Sequence, residues 1–173
     1  MDLEKVIRTV PDFPKPGILF YDITSIFVEP AAFGYVVDRM LELYEDAKVD
    51  GVIAIESRGF LLGACYARAR EVPLVLARKK GKLPGETVSR GYLLEYGEAV
   101  LEIHKSDLAL GKRWLIVDDL IATGGTLEAV GYIVESVGAE VAGIFSIVGL
   151  PFLGYHEKIG RYKPITLIDY ESE

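Results

Sequence analysis

The sequence predicts an α/β fold, with a central, mostly parallel sheet covered by helices on both faces. Two observations carry that expectation. Short apolar, strand-like runs recur at residues 52–55, 72–77, 114–117, 141–148 and 165–168, and segments of helical spacing alternate with them at 31–47, 59–70 and 126–137. Half of the 173 residues are hydrophobic, which suffices for one buried core and is too many for a disordered chain.

Taken in order, residues 1–9 read as a short helix with Asp2 as N-cap, and Pro11, Pro14, Pro16 and Gly17 then forbid regular structure until Ile18. Phe33, Val36, Val37, Met40, Leu41 and Tyr44 recur at helical spacing across 31–47. The run 52–55 is apolar and β-branched, a buried strand, and 59–70 returns to helix. Pro73 comes early enough in 72–77 for a strand to tolerate it. Residues 81–97 break the rhythm, with five glycine or proline positions (Gly81, Pro84, Gly85, Gly91, Gly97) among charges. Strand-like pieces at 92–95 and 100–104 flank a Tyr96-Gly97-Glu98 turn, so a hairpin-like lid over about 81–104 is expected. The run 114–117 reads as the central strand. The helix at 126–137 ends at Gly138, a suitable glycine just past a helix end. No repeat, linker or low-complexity tract interrupts the chain, and residues 1–173 are read as a single domain.

The formal charge of −7 is spread over both signs, which argues against non-specific nucleic-acid binding and requires any anionic ligand to be held by local groups. The first residues carry acids and no apolar run, unlike a signal peptide, and no stretch approaches the ~18 apolar residues of a membrane span. A reducing cytoplasm is the expected setting. Cys65, the one cysteine, lies in an apolar stretch and reads as a small hydrophobe rather than a reactive thiol.

The chemistry is concentrated in VDDLIATGGT, residues 117–126. Ligands of open α/β sheets bind at the carboxyl ends of strands, where Asp118 and Asp119 fall. Ala122, Thr123, Gly124, Gly125 and Thr126 then lead into a helix. Glycines there allow close backbone approach, the first helical amides point at an anion, and the threonine hydroxyls add donors. Adjacent carboxylates repel phosphate but suit ribose hydroxyls, or a divalent metal bridging to phosphate. The pattern is that of a ribose 5-phosphate pocket. Neither a P-loop nor a GxGxxG dinucleotide pattern is present.

This segment resembles the phosphoribosyl-diphosphate motif of the type I phosphoribosyltransferases. FPKPGILFYDIT (13–24), ESRGF (56–60), RKKGKLPG (78–85) and LEYGEAVLEIH (94–104) fall in the order seen in the adenine phosphoribosyltransferases and run through nearly the whole chain. Ala122 stands where hypoxanthine-guanine enzymes carry an aspartate. The resemblance implies a type I phosphoribosyltransferase-like sheet with a flexible lid hairpin and a small N-terminal hood at about 13–24. It implies transfer of a 5-phosphoribosyl group from 5-phosphoribosyl 1-diphosphate to adenine, giving AMP and pyrophosphate in purine salvage. Mg2+ would be carried on the diphosphate rather than held directly by the chain, and a homodimer is implied, with no nucleic-acid or membrane partner.

By the same resemblance, Asp118 and Asp119 accept from the ribose hydroxyls and residues 122–126 hold the 5-phosphate. Ser57 and Arg58 lie beside the diphosphate in a turn with an unusual peptide bond, and Arg78, Lys79 and Lys82 add cations. Tyr96 sits in the lid with Glu95, the candidate general acid toward adenine N7; a surface strand glutamate is the other reading of Glu95. Ile18, Leu19, Phe20 and Tyr21 form the adenine-binding loop, with Phe20 stacking on the base. Two positions depart from the family: Tyr21, where arginine is common, and Gly149, where glutamate is usual. His104 and His156 read as structural. Another base for the same transfer, or a regulatory protein that senses phosphoribosyl diphosphate, are the competing readings; the chain shows no added helix-turn-helix segment and keeps the full lid.

Overall fold

The computed structural model describes residues 1–13, 15–93 and 98–172, with backbone alone at Leu93 and Glu98. In chain order it comprises β1 (Arg8–Pro11), β2 (Leu19–Asp22), α1 (Thr24–Val28), α2 (Pro30–Leu43), β3 (Gly51–Ile55), α3 (Gly59–Arg70), β4 (Leu74–Lys79), β5 (Thr87–Leu93) and β6 (Glu98–His104). There follow α4 (Lys105–Leu108), β7 (Arg113–Val117), β8 (Leu120–Ile121), α5 (Gly125–Ser136), β9 (Glu140–Gly149), α6 (Tyr155–Ile159) and β10 (Pro164–Asp169). Among the described residues the main sheet runs β10-β9-β7-β3-β4-β6-β5. The pairs from β10 to β4 are parallel, and the β5–β6 hairpin joins antiparallel to β4. β7 has parallel partners on both sides, as expected of the run 114–117.

Period-two alternation divides the core. Ile53 and Ile55 of β3, with Trp114 and Ile116 of β7, pack with Leu127, Val130, Ile133 and Val134 of α5 on one face. Val52, Leu115 and Val117 face the other side, among Ile26, Val36, Met40, Leu62 and Tyr66. Both faces are dry, which is why these strands read as continuous apolar runs. Each such side chain contributes about 2 kcal/mol of burial. Trp114, the single tryptophan, is fully buried at the start of β7, and a side chain on Gly51 would come within 2.4 Å of its ring. Among the described residues no helix is long and apolar enough to cross a membrane.

The N-terminus departs from expectation. Residues 1–9 are not a helix: the amides of Val6 and Ile7 both reach Leu3 O in one turn, and the chain then extends as β1. Pro11 closes that strand, paired with Leu19 in an antiparallel ladder with β2. The long-range pairing overrides the weak helical preference of a segment too short to be helical alone. Residues 18–21, expected as a loop, therefore lie mostly in a strand. The second helix ends at Leu43 rather than Ala47 and starts on Pro30, a favoured first helical residue. Cys65 is half-buried, and burial pushes its thiol pKa up, away from reactivity.

The hairpin also starts earlier than expected, at Thr87, and its strands pair from Thr87↔His104 to Leu93↔Glu98. The predicted turn at 96–98, together with Glu95 and Tyr96, lies outside the described residues except for the backbone of Glu98. The base of the hairpin is built into the fold. Leu101 and Ile103 are in the core, and His104 donates from Nε2 to Pro84 O at 2.7 Å. The buried Glu102 accepts at one carboxylate oxygen from the amides of Gly81, Lys82 and Leu83, at 2.9, 3.2 and 3.0 Å. Glu102→Ala should strand these amides and destabilise the protein by about 2–3 kcal/mol in denaturant unfolding. Hydrogen exchange at residues 81–83 should accelerate more than in β7; equal exchange changes at both places would show that Glu102 does not order this loop.

Candidate active site

Gly59 sets the geometry. It opens α3 directly behind β3, and a Cβ there would lie 2.6 Å from Val117 O and 3.2 Å from Asp118 Cα. Only a residue without a side chain lets the start of α3 meet the end of β7 so closely. Arg58, on the preceding position, is thereby brought to Asp119, and its Nε donates to Asp119 Oδ2. Glu56 and Ser57, joined by a cis peptide bond, complete the turn.

The segment after β7 is stitched to β9. Asp118 N–H donates to Phe145 O at 3.1 Å, and Asp119 O accepts from Ile147 and Val148 at 3.1 Å each. Asp119 N–H is taken by Asp118 Oδ1 at 2.9 Å. Burial, and next the adjacent Asp119 carboxylate, hold the Asp118 carboxyl well above the ordinary carboxylate range. A hydroxyl donor or a cation reaching Asp118 would relieve that cost. Beyond β8, Gly124 takes a left-handed conformation (φ 76°) as the N-cap of α5, so the helix presents its first amides at Gly125 and Thr126.

These elements enclose a cavity of about 300 Å³ lined by Glu56, Ser57, Arg58, Lys79, Asp118, Asp119 and Thr126, with Tyr92 and Leu101 of the hairpin closing one side. The acidic pair, Ser57, Arg58, Lys79 and Thr126 thus meet in one cavity wall. Residues 122–125 lie next to this lining rather than in it. Arg78 and Lys82 gather instead on Glu56: Lys82 Nζ and Arg78 Nη2 donate to Glu56 Oε1 at 2.6 and 3.3 Å, and Lys79 N–H donates to Oε2 at 3.1 Å. The adenine-loop residues are not in the cavity wall. Ile18 and Leu19 are exposed, Phe20 meets Phe13 edge-to-face at 5.0 Å, and Tyr21 stacks on Tyr170 at 3.9 Å. β2 nevertheless ends beside the site. Asp22 is held below the usual carboxylate range by its hydrogen bond from Thr24, and the charges of Arg8 and Arg58 push the same way.

Glu56 and Glu102 are the residues that sequence reasoning passed over as working groups. The basic, glycine-rich segment that each of them holds lies 19 to 26 residues away, so no local signal marks either role.

A sheet whose central strand ends in paired acids, followed by a glycine-capped helix and faced by an arginine across a close helix–strand contact, is a phosphoribosyltransferase architecture. The phosphoribosyl transferase domain family matches the chain over residues 24–170. Within that class the chain belongs to the adenine phosphoribosyltransferases. It is 56% identical over 171 residues to the adenine phosphoribosyltransferase of Treponema denticola, covering 99% of this chain and 90% of that protein. The crystal structure of the Thermoanaerobacter pseudethanolicus adenine phosphoribosyltransferase superposes with a TM-score of 0.90 at 44% identity, over 98% of both chains. The Saccharomyces cerevisiae adenine phosphoribosyltransferase, solved with an imino-altritol bisphosphate and adenine, gives 0.88 at 38% identity over 96% of both.

Glu56 provides a pH test of the site's wiring. The Lys82 hydrogen bond first, with the Lys79 amide and Arg78 behind it, lowers the Glu56 carboxyl from 4.5 to about 2. Because the folded value lies below the unfolded one, this stabilisation is complete above pH 4.5 and is lost as pH falls through about 2. Discounted for the half-exposed Lys82, it amounts to about 2 kcal/mol near neutrality. Glu56→Gln should therefore lower unfolding stability by about that amount near pH 7. The gap to the parent should narrow by about pH 3, and a gap independent of pH would remove the charge-based explanation.

Proposed function

We infer that the chain transfers a 5-phosphoribosyl group from 5-phosphoribosyl 1-diphosphate to adenine, giving AMP and pyrophosphate. The observation that carries this reading is the meeting of Asp118 and Asp119 with Arg58 and the start of α5 in one cavity. The bond from base N9 to ribose C1 forms as the C1–O bond to diphosphate breaks. The electron pair leaves with pyrophosphate, and the proton of the base's imidazole ring is released. Positive charge grows on the ribose while negative charge departs, so catalysis here is electrostatic.

Asp118 and Asp119 take the ribose hydroxyls and face the growing positive charge. The amides and hydroxyls of Ala122, Thr123, Gly124, Gly125 and Thr126 take the 5-phosphate. Ser57, Arg58 and Lys79 line the side where the diphosphate leaves, with Arg78 and Lys82 behind them, held in place by Glu56. Among the described residues no three His, Cys, Asp or Glu side chains converge as a metal cage. The donors at hand are Asp118 and Asp119, and the raised Asp118 carboxyl is a group that a cation would discharge. This donor set fits Mg2+ arriving on the diphosphate; when bound, the metal neutralises the leaving group.

The hairpin is the lid, anchored at its base by Leu101 and Ile103 in the core. Glu95 and Tyr96 belong to this lid segment of the sequence: Glu95 takes the ring proton through N7 as the N9–C1 bond forms and, as general acid, returns it to N7 in the reverse direction. Ile18, Leu19, Phe20 and Tyr21 form the base hood, within one domain spanning residues 1–173. A homodimer acting in the cytoplasm, in purine salvage, follows from the family resemblance.

Adenine, hypoxanthine, guanine, xanthine and orotate, each supplied with phosphoribosyl diphosphate and Mg2+, test the assignment. Ala122 removes the acid that would receive a 6-oxo purine's N7 proton, and a donor–acceptor reversal at the base edge costs about 1–3 kcal/mol per unsatisfied group. Adenine should be preferred over hypoxanthine by roughly a hundredfold in kcat/KM. Asp119→Asn should lower kcat/KM for adenine by about 1–3 kcal/mol in transition-state binding. Equal use of hypoxanthine or guanine would overturn the choice of base, and an unaffected Asp119→Asn would overturn the site.

A further inference from the structure

The two positions that depart from the family, Tyr21 and Gly149, are far apart in sequence yet converge on one dipeptide at the end of β10. Gly149 and Asp169 face each other in the parallel ladder of β9 and β10. A Cβ on Gly149 would fall 2.4 Å from Asp169 Oδ1 and 2.7 Å from the Tyr155 hydroxyl. The missing side chain is therefore the space that the Asp169 carboxylate and Tyr155 share. Thr166 Oγ1 donates to Asp169 Oδ1 at 2.7 Å and holds the carboxylate there. Burial, and after it the charge of Asp169, raise the Tyr155 hydroxyl pKa, so the tyrosine stays a hydrogen-bond donor beside the acid.

Tyr155 in turn backs the phosphate loop. A side chain on Gly124 would lie 3.1 Å from Tyr155 Cβ and 3.5 Å from its Cα. The next residue, Tyr170, points to the opposite face, as alternation requires. Its amide donates to Gly149 O at 3.0 Å, and its ring lies on Tyr21 of β2 at 3.9 Å with an 18° angle between the planes. Neighbouring residues thus touch the two halves of the site, one through Tyr155 and the other through Tyr21.

We propose that Asp169 and Tyr170 are a pair of positioning residues: Tyr170 seats the base-binding strand through Tyr21, and Asp169 braces the phosphate loop through Tyr155. The assignment rests on the proposed transfer reaction. Neither residue touches substrate; each acts through the tyrosine it holds. Their effects separate by substrate, because the contacts run to different halves of the site.

The experiment measures KM for both substrates together with kcat in purified variants, each checked for its thermal unfolding midpoint. Tyr170→Leu keeps apolar volume but no ring and should raise the adenine KM roughly three- to tenfold, with the phosphoribosyl diphosphate KM within about twofold of the parent. Tyr170→Phe keeps the ring and should restore the adenine KM. Asp169→Ala should do the reverse, raising the phosphoribosyl diphosphate KM about fivefold while the adenine KM holds. An unchanged adenine KM in Tyr170→Leu, failure of Tyr170→Phe to restore it, or parallel shifts of both constants in either variant would overturn the proposal. A parent protein that uses no adenine would sink the transfer reaction itself, a result distinguishable from all of these.

Discussion

The distance between the start of α3 and the end of β7 is the constraint on which the site depends. Gly59 meets Val117 O and Asp118 at van der Waals range, so a side chain there would push the helix off the strand. The same contact places Arg58 over Asp119 and turns two segments 61 residues apart into one charged surface. The parallel sheet beneath supplies the rigidity. β3 and β7 are neighbours, buried on both faces, and the loops leaving their carboxyl ends inherit that fixed spacing. A phosphorylated sugar therefore meets a surface set before it arrives, which is where an electrostatic catalyst gains most.

Charge is organised by acids as much as by bases. The protein is acidic overall, yet the cavity wall carries arginine and lysine, and Glu56 holds Arg78, Lys82 and the Lys79 amide at a single carboxylate. Glu102 does the same for the backbone of the following loop. Buried or half-buried carboxylates thus fix flexible basic segments that would otherwise lose conformational freedom on meeting an anion. The hairpin belongs to this network, because its ladder to β4 runs through Arg78↔Glu102 and Lys79↔Leu101.

What could be read beforehand depended on how local its cause was. The parallel strands, the helix after Gly124 and the acidic pair were legible because apolar runs, a glycine-rich helix entry and strand-end carboxylates are short-range signals. β1 was not, since its ladder is made with residues on the far side of a proline-rich loop, and the strand is defined only by that partner. Glu56 as an anchor was equally hidden: its cations lie 22 and 26 residues away and meet it only through the pairing of β3 with β4. Tyr21 and Gly149 looked like isolated departures until β10 placed Asp169 and Tyr170 against them.

Trp114 is the second residue of β7 and Asp118 follows its last, so the indole and the site lie toward opposite ends of one strand, about 13 Å apart along the chain. As the single tryptophan, fully buried, it makes the chain's tryptophan emission a reporter with one address. Its emission follows the packing of the sheet around it. The fold has set its one indole at the far end of the strand from the cavity, so loss of the sheet can be followed without an added label.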